Sequence, residues 1–421
     1  MENNRNWAGN YRYSASELHV PESVEQVQEL VARSSLIKVL GTRHSFNGIA
    51  DSTGSLLSMQ KLNRVIALDR THNKVTVEAG ISYGELCRYL HENGYALHNL
   101  ASLPHITVAG ACATATHGSG DRNGNLATAV HSLEIVKADG DTVVFSREQQ
   151  DGDFAGAVVG LGGLGVVTKI TLDVIPAFQM HQHVYDNLPL VHLREHFEDI
   201  FSSGYSVSLF TDWKEAVFNQ VWQKRRITDQ DTAEVKTEFF GAKRATAHRH
   251  PVPGYTAENC SEQMGIPGPW YERMPHFRMD FTPSAGEELQ SEYFVPREHA
   301  YGALCAIDRL RDAISPLLYV SEVRTIAADN LWMSPCYKQE SVAVHFTWKP
   351  NWEAVSQVLP IIEEQLAPFE ARPHWAKLFT MPPARLQSLY EKLPDFRQLL
   401  LRCDPQGKFR NDFLKTYIME N

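Results

Sequence analysis

With 421 residues the chain is too long for one ordinary hydrophobic core, so two domains or one large composite are expected. It is 43% hydrophobic and 21% charged, and its net charge of -10 includes no block of lysine or arginine, which excludes a nucleic-acid or anionic-membrane partner. The opening residues lack an apolar core of signal-peptide length, and no later run reaches the ~18 apolar residues of a membrane span, so a cytoplasmic protein is expected. Cys87, Cys112, Cys260, Cys305, Cys336 and Cys403 are scattered without a C-x-x-C pair, so free thiols are expected, with neither a disulfide framework nor a metal site.

In chain order, Ser23 with Gln26 reads as a capping box ahead of Val24, Val27, Leu30 and Val31, which predicts a helix over 24–34. The apolar run Leu36 to Leu40, with Lys38 inside it, predicts a buried strand ending at Gly41. The turn that follows presents His44 and Ser45. A strand running into a glycine turn leaves backbone N–H groups without partners and so suits a pyrophosphate. Short strands follow at Leu56–Met59, Arg64–Leu68 and Lys74–Glu78, and a second capping box, Ser82 with Glu85, opens a helix with Leu86, Tyr89 and Leu90 on one side.

Asn99 to Gly120 is nearly all small residues and is read as a loop lining a flat ligand. Leu133–Val136 and Thr142–Phe145 then form a hairpin around Asp139-Gly140. Gly160 to Gly165 matches G-x-G-x-x-G, but the β-branched run Val166 to Leu172 follows where a dinucleotide fingerprint needs a helix, so NAD binding is rejected. Beyond Pro176 the chain is richer in aromatics and prolines. Strands are expected at Tyr205–Thr211, Leu289–Val295, Leu317–Thr325 and Ser341–Trp348, with helices near 297–313, 351–366 and 384–401, and a turn-rich tail from Asp404 to Asn411.

The pleat of a strand puts residues two apart on one face. Glu322 and Arg324 therefore project together while Val323 points away, and His345 shares a face with Thr347 while Val342, Val344, Phe346 and Trp348 take the other. Lys377 lies between Trp375 and Phe379. A carboxylate, a guanidinium, an imidazole and an ammonium in apolar frames suit a polyhydroxylated ligand.

The ordered set G-T-R-H-S-F-N, N-L-A-S-L-P-H-I-T-V-A-G, T-H-G-S-G, G-x-G-G-L-G-V-V-T, S-E-V-R-T, H-F-T-W, R-P-H-W-A-K and D-P-Q-G-K-F-x-N resembles the FAD-linked oxidases of the vanillyl-alcohol-oxidase superfamily, nearest to its alditol (xylitol) oxidase family, with the aldonolactone oxidases as relatives. The resemblance implies an α+β fold: a two-lobed, PCMH-type FAD-binding domain over 1–176, a cap domain with a large antiparallel sheet over 177–375, and a segment over 376–421 that returns to the FAD domain. It implies FAD joined covalently to His44. Gly41, Thr42, Arg43 and Ser45 would hold the pyrophosphate, while Ser102, Thr107, Gly110, Ala111, Cys112 and Ala113 would line the flavin and Val167 would meet the adenine. Arg43 stands where the family commonly has glycine. Ser102, Glu322, Arg324, His345, Thr347 and Lys377 match the alditol site.

The activity implied is oxidation of a terminal primary hydroxyl of a polyol to the aldose, with O₂ reduced to H₂O₂. His345 is the first candidate for the base and Glu322 its partner or rival. Arg324 and Lys377 would stabilise developing negative charge, and Ser102 and Thr347 would hold outer hydroxyls. The alternative on the same fold is a sugar-1,4-lactone oxidase or dehydrogenase. A monomer with no macromolecular partner is expected.

Overall fold

Helix Val24–Arg33 buries Val27, Leu30 and Val31, and Ser23 caps it by accepting from Gln26 N. The first capping box is only half formed, because the Gln26 side chain accepts from Glu22 N rather than from Ser23 N. At Ser82 and Glu85 both halves are present, and helix Tyr83–Glu92 follows. These are features of a computed structural model that describes residues 4–149, 152–228, 236–280 and 288–419.

Among the described residues the N-terminal part holds two larger sheets and a two-stranded antiparallel pair, Tyr95–Ala96 with Ile175–Pro176. Ser55–Leu57 lies between Glu17–His19 and Ile37–Val39 in a parallel three-stranded sheet, against which Val27, Leu30 and Val31 pack. An antiparallel five-stranded sheet has Val166–Asp173 at its centre, flanked by Lys74–Glu78 and Val130–Val136, with Val65–Asp69 and Thr142–Ser146 at the edges. The glycine run thus feeds a strand, as the β-branched residues after it require. Gly165 has φ +146°, and a Cβ there would sit 2.3 Å from the Val136 carbonyl oxygen, so only glycine fits.

The cap is a ten-stranded sheet in which every neighbouring pair is antiparallel. At its centre Leu318–Ile326 lies between Ser206–Thr211 and Ser341–Trp348, and Leu289–Pro296 pairs with the far side of Ser341–Trp348. Val323, Val342, Val344, Phe346 and Trp348 are fully buried against helices Leu193–Phe201, Ala300–Asp308 and Trp352–Leu366. Each such side chain contributes about 1.5–3 kcal/mol. The opposite face of these strands is polar and forms part of the site.

Several elements differ from expectation. Within Asn99–Gly120 a helix forms at Val108–Ala113, because a run of small residues with one glycine can close helical turns directly after Thr107, which stays extended as the N-cap. The helix expected over 297–313 is interrupted: Arg297–His299 is a tight turn, Ala300–Asp308 and Arg311–Ile314 are separate, and Arg311 folds back onto the Asp308 carboxylate at 2.5 Å. The helix over 384–401 is two, Pro383–Ser388 and Leu393–Cys403, since Pro394 can begin a helix but not continue one. Strands Gln179–Pro189 and Val217–Arg226, which pair along their length, were not anticipated.

The C-terminal segment packs into the N-terminal part. Phe396, Leu400 and Leu414 share a core with Val75, Leu86, Val108 and Leu172, and Phe409 is fully buried beside Val27 and Ile37. Both oxygens of Asp404 accept backbone N–H groups, from Lys408 and Phe409, at 2.8 Å, and Lys408 Nζ reaches the carbonyls of Val31 at 2.6 Å and Ala138 at 2.8 Å. Among the described residues no helix is long and apolar enough to cross a membrane.

Candidate active site

A cavity of about 1100 Å³ separates the N-terminal lobes from the polar face of the large sheet. Gly41, Thr42, Arg43, His44, Ser45, Ser102, Thr107, Gly110, Ala111, Ala113 and Val167 line it from one side, and Glu322, Arg324, His345, Thr347 and Lys377 from the other. Cys112 does not. Its position on helix Val108–Ala113 turns the side chain into the core, where it is 1% exposed and 3.7 Å from Tyr83 Oη, and burial pushes its thiol up to about 12. The neighbouring helix residues keep their contact with the cavity because a helix presents only part of its circumference to one side.

The His44 turn is held on several sides. Arg43 has φ +63°, the left-handed backbone that glycine takes without penalty, so arginine here keeps the turn a glycine would make at a cost of about 1–2 kcal/mol. A Cβ on Gly41 would lie 2.9 Å from Thr107 Oγ1, so any larger residue would have to push that hydroxyl aside. The His44 ring stacks on Trp7 at 5.1 Å, and its Nδ1 is 3.1 Å from Thr42 Oγ1. Its Nε2 is buried with no hydrogen-bond partner. Burial lowers the imidazole to about 4, with a smaller push in the same direction from His105 and Lys377, so His44 is neutral.

The same turn is stitched to the segment bearing Lys377. Phe46 N donates to Ala376 O at 2.8 Å, and the Asn47 side chain donates to the carbonyls of Trp375 and Lys377 at 2.9 and 2.8 Å. Lys377 lies in a tight turn closed on His374 rather than on a strand. Its ammonium contacts Gln290 Oε1 and lies 3.5 Å from His345 Nδ1. Burial lowers it to about 8, against the attraction of Glu292.

On the sheet the pleat places the polar groups in a row. Glu292, His345 and Glu322 stand opposite one another on three adjacent strands, and Gln290, Thr347 and Val320 form the next row. His345 Nε2 is 3.1 Å from Thr347 Oγ1 and its Nδ1 is 3.6 Å from Glu292 Oε2. Arg324 donates to Glu292 at 2.6 Å, approaches Glu322 at 3.6 Å, and points Nη1 at Ser102 Oγ at 3.5 Å. Burial lowers His345 to about 4, helped by Lys377. For Glu322 burial acts upward, but Arg324 and His276 outweigh it and hold the carboxyl well below the usual carboxylate range.

Glu292 and Gln290 were missed, although the pleat rule applied to the Leu289 strand would have put both on the polar face. His117 and His374 stand inside the motifs T-H-G-S-G and R-P-H-W-A-K but were not singled out, and His276 left no local signal, since it reaches the site only through tertiary packing. His117, Glu292 and His374 are close enough to share a cation. Arg324 already occupies Glu292, however, and a divalent ion beside that guanidinium would meet strong repulsion in a buried setting. The cluster instead anchors Arg324.

Along 416 aligned residues, 98% of each chain, the protein is 50% identical to the alditol oxidase of Streptomyces sp.. It belongs to the family of FAD-linked alditol and aldonolactone oxidases. More distant members of this FAD-linked family are the L-gulonolactone oxidase of Mus musculus, 28% identical over 98% of this chain and 97% of its own, and the L-gulono-1,4-lactone dehydrogenase of Mycobacterium tuberculosis, 28% identical over 98% of both. Residues 16–146 match the FAD binding domain family, and residues 284–417 match the D-arabinono-1,4-lactone oxidase family. A solvent-stable cholesterol oxidase shares the fold, with a TM-score of 0.79 over 98% of this chain and 96% of that one at 15% identity. FAD is the cofactor of this family, and the residues present fit it: a long cavity, close-packed glycines at Gly41 and Gly162, and a buried His44 nitrogen left without a protein partner.

Proposed function

We propose that the chain oxidises polyols, converting the terminal CH₂OH of an alditol of the xylitol or sorbitol type to the aldose while O₂ is reduced to H₂O₂. The observation that carries this reading is the row Glu292–His345–Glu322, in which a neutral imidazole stands between two carboxylates and beside Lys377 and Arg324, across the cavity from His44. Bound FAD supplies the hydride acceptor and the route for electrons to O₂.

His345 is the base. Its pKa of about 4 keeps it unprotonated at neutral pH, whereas Glu322, held lower still by Arg324 and His276, is the weaker proton acceptor. With Nδ1 turned toward Glu292, His345 offers Nε2 to the substrate hydroxyl, and Thr347 marks that direction. Lys377 and Arg324 stabilise the alkoxide that develops as the proton leaves. Glu322 and Ser102 accept hydrogen bonds from further hydroxyls, which fixes which carbon is presented. Covalent attachment of FAD to His44 is part of the proposal, supported by the buried, unpartnered and neutral imidazole. So are the partition at 176 and 375, a monomeric state and a cytoplasmic location.

The second reading, a sugar-1,4-lactone oxidase or dehydrogenase, draws on the match of residues 284–417 to a lactone oxidase family. A panel of alditols and lactones, scored by peroxide release, separates the two. Turnover of alditols supports the first reading, and turnover of lactones alone overturns it.

A further inference from the structure

Lys224 is fully buried on strand Val217–Arg226, 1% exposed, and plays no part in the chemistry described above. Its ammonium has three protons and three acceptors: the carbonyls of Met274 at 2.5 Å and Pro275 at 2.9 Å, and His276 Nδ1 at 3.1 Å. The other nitrogen of the same ring, Nε2, is 2.7 Å from Glu322 Oε1. Phe210 and Trp222 hold the ring edge-on at 5.4 and 5.2 Å, so it has no freedom to turn away. The backbone of His276 also donates to Ser102 O at 3.1 Å, which ties this segment to a second residue of the site.

We infer that Lys224 and His276 form a positioning relay that fixes Glu322 as an ionised, acceptor-only carboxylate facing the substrate. Both ends of the chain are acceptors only: two backbone carbonyls at one end, a carboxylate at the other. Glu322 requires a proton on His276 Nε2, so Nδ1 of the neutral ring bears a lone pair and must accept from Lys224. Lys224 then donates all three of its protons. The reversed tautomer of the neutral ring sets a lone pair against the carboxylate and an N–H against the ammonium, a mismatch that burial makes expensive. The remaining arrangement, an imidazolium donating to a neutral Lys224, is disfavoured because burial lowers His276 to about 4 but Lys224 only to about 7. The charged groups facing His276 agree with this: Lys224 on one side, Glu322 on the other, and Arg324 beyond Glu322. A buried positive charge is thereby held one ring away from Glu322, and the carboxylate oxygen bonded to His276 cannot swing toward the substrate.

The inference rests on the polyol reading for its catalytic consequence but not for its structural core. The test has two arms on FAD-loaded protein. In the first, histidine-labelled protein is examined by ¹⁵N NMR, with His276 assigned by its loss in His276→Gln. Nδ1 resonating as an unprotonated ring nitrogen and Nε2 as a protonated one supports the relay, as does loss of that pattern in Lys224→Met. A protonated Nδ1 in the native chain overturns it. In the second arm, His276→Leu lowers kcat/KM for an alditol by about 10- to 100-fold at unchanged flavin content, as expected for loss of a buried bond to a charged group. His276→Gln, whose amide can accept from Lys224 and donate to Glu322, recovers most of that loss. Equal activity in the leucine and glutamine variants overturns the relay. Native protein that turns over no alditol sinks the polyol reading instead, and the NMR arm still decides the relay.

Discussion

His44 is buried, stacked on Trp7 and neutral, and its Nε2 has no hydrogen-bond partner, a state that costs free energy unless something fills the space beside it. If FAD is bonded there, acid-precipitated protein stays yellow and His44→Ala protein gives a white pellet. A white pellet from the native chain removes the covalent claim. Lys377, expected between apolar neighbours at the ligand, has its ammonium in the cavity wall, where burial lowers its pKa to about 8. The proposed base must be unprotonated and the proposed cation protonated. kcat/KM for an alditol is therefore expected to rise as pH passes about 4 and to fall as it passes about 8. Lys377→Met should remove the alkaline limb and lower the plateau by about 10²-fold, the usual scale for loss of one charge contact in the transition state. An alkaline limb that survives in Lys377→Met rules out this assignment.

At the scale of the element, strand Leu318–Ile326 tests whether pleat and chemistry are linked. Val323 is fully buried against the helices, while Glu322 and Arg324 face the cavity. Glu322→Gln should sharply reduce polyol oxidation in protein that still folds and keeps a flavin spectrum near that of the native protein. Val323→Ala should do the reverse, costing about 1–3 kcal/mol of stability while turnover in the folded fraction persists. A Val323 variant that folds but has lost catalysis, beside a silent Glu322 variant, contradicts the assignment. Arg324 is a poorer probe than its spacing suggests. Its removal strands Glu292 as an uncompensated buried charge and is expected to destabilise by about 3–5 kcal/mol.

For the molecule as a whole, the cavity concentrates groups that fold only in one protonation state. His276 and His345 are both lowered to about 4 from 6.5, chiefly by burial. Between those values the unfolded chain binds more protons than the folded one, so stability rises with pH across that window and is lost as pH falls from about 6.5 toward 4. Glu322, whose pKa is depressed, acts in the same direction below its ordinary carboxylate range. Thermal melts of the flavin-loaded protein between pH 4 and 7 should therefore show a melting temperature that climbs with pH. A flat profile would mean that these groups titrate normally.

Local pattern determined a good deal of this molecule. Alternation in S-E-V-R-T and V-A-V-H-F-T-W determined which side chains share a face, because a strand's pleat is a property of neighbouring peptide units. The two serine caps, the strand after Gly165 and the turn at Gly41 were legible for the same reason, and the ordered motifs pointed to the FAD-linked family. Tertiary structure alone decided the rest. Only the register of three strands brings Glu292 opposite His345 and Glu322, and only packing across 46 residues of sequence sets His276 against that carboxylate. Cys112 shows the limit from the other side: a small-residue run suggested a loop lining the cavity, but once it closed into a helix that side chain had to face the core. Contacts between distant segments depend on which surfaces the chain can bury together, and no window of neighbouring residues contains that information.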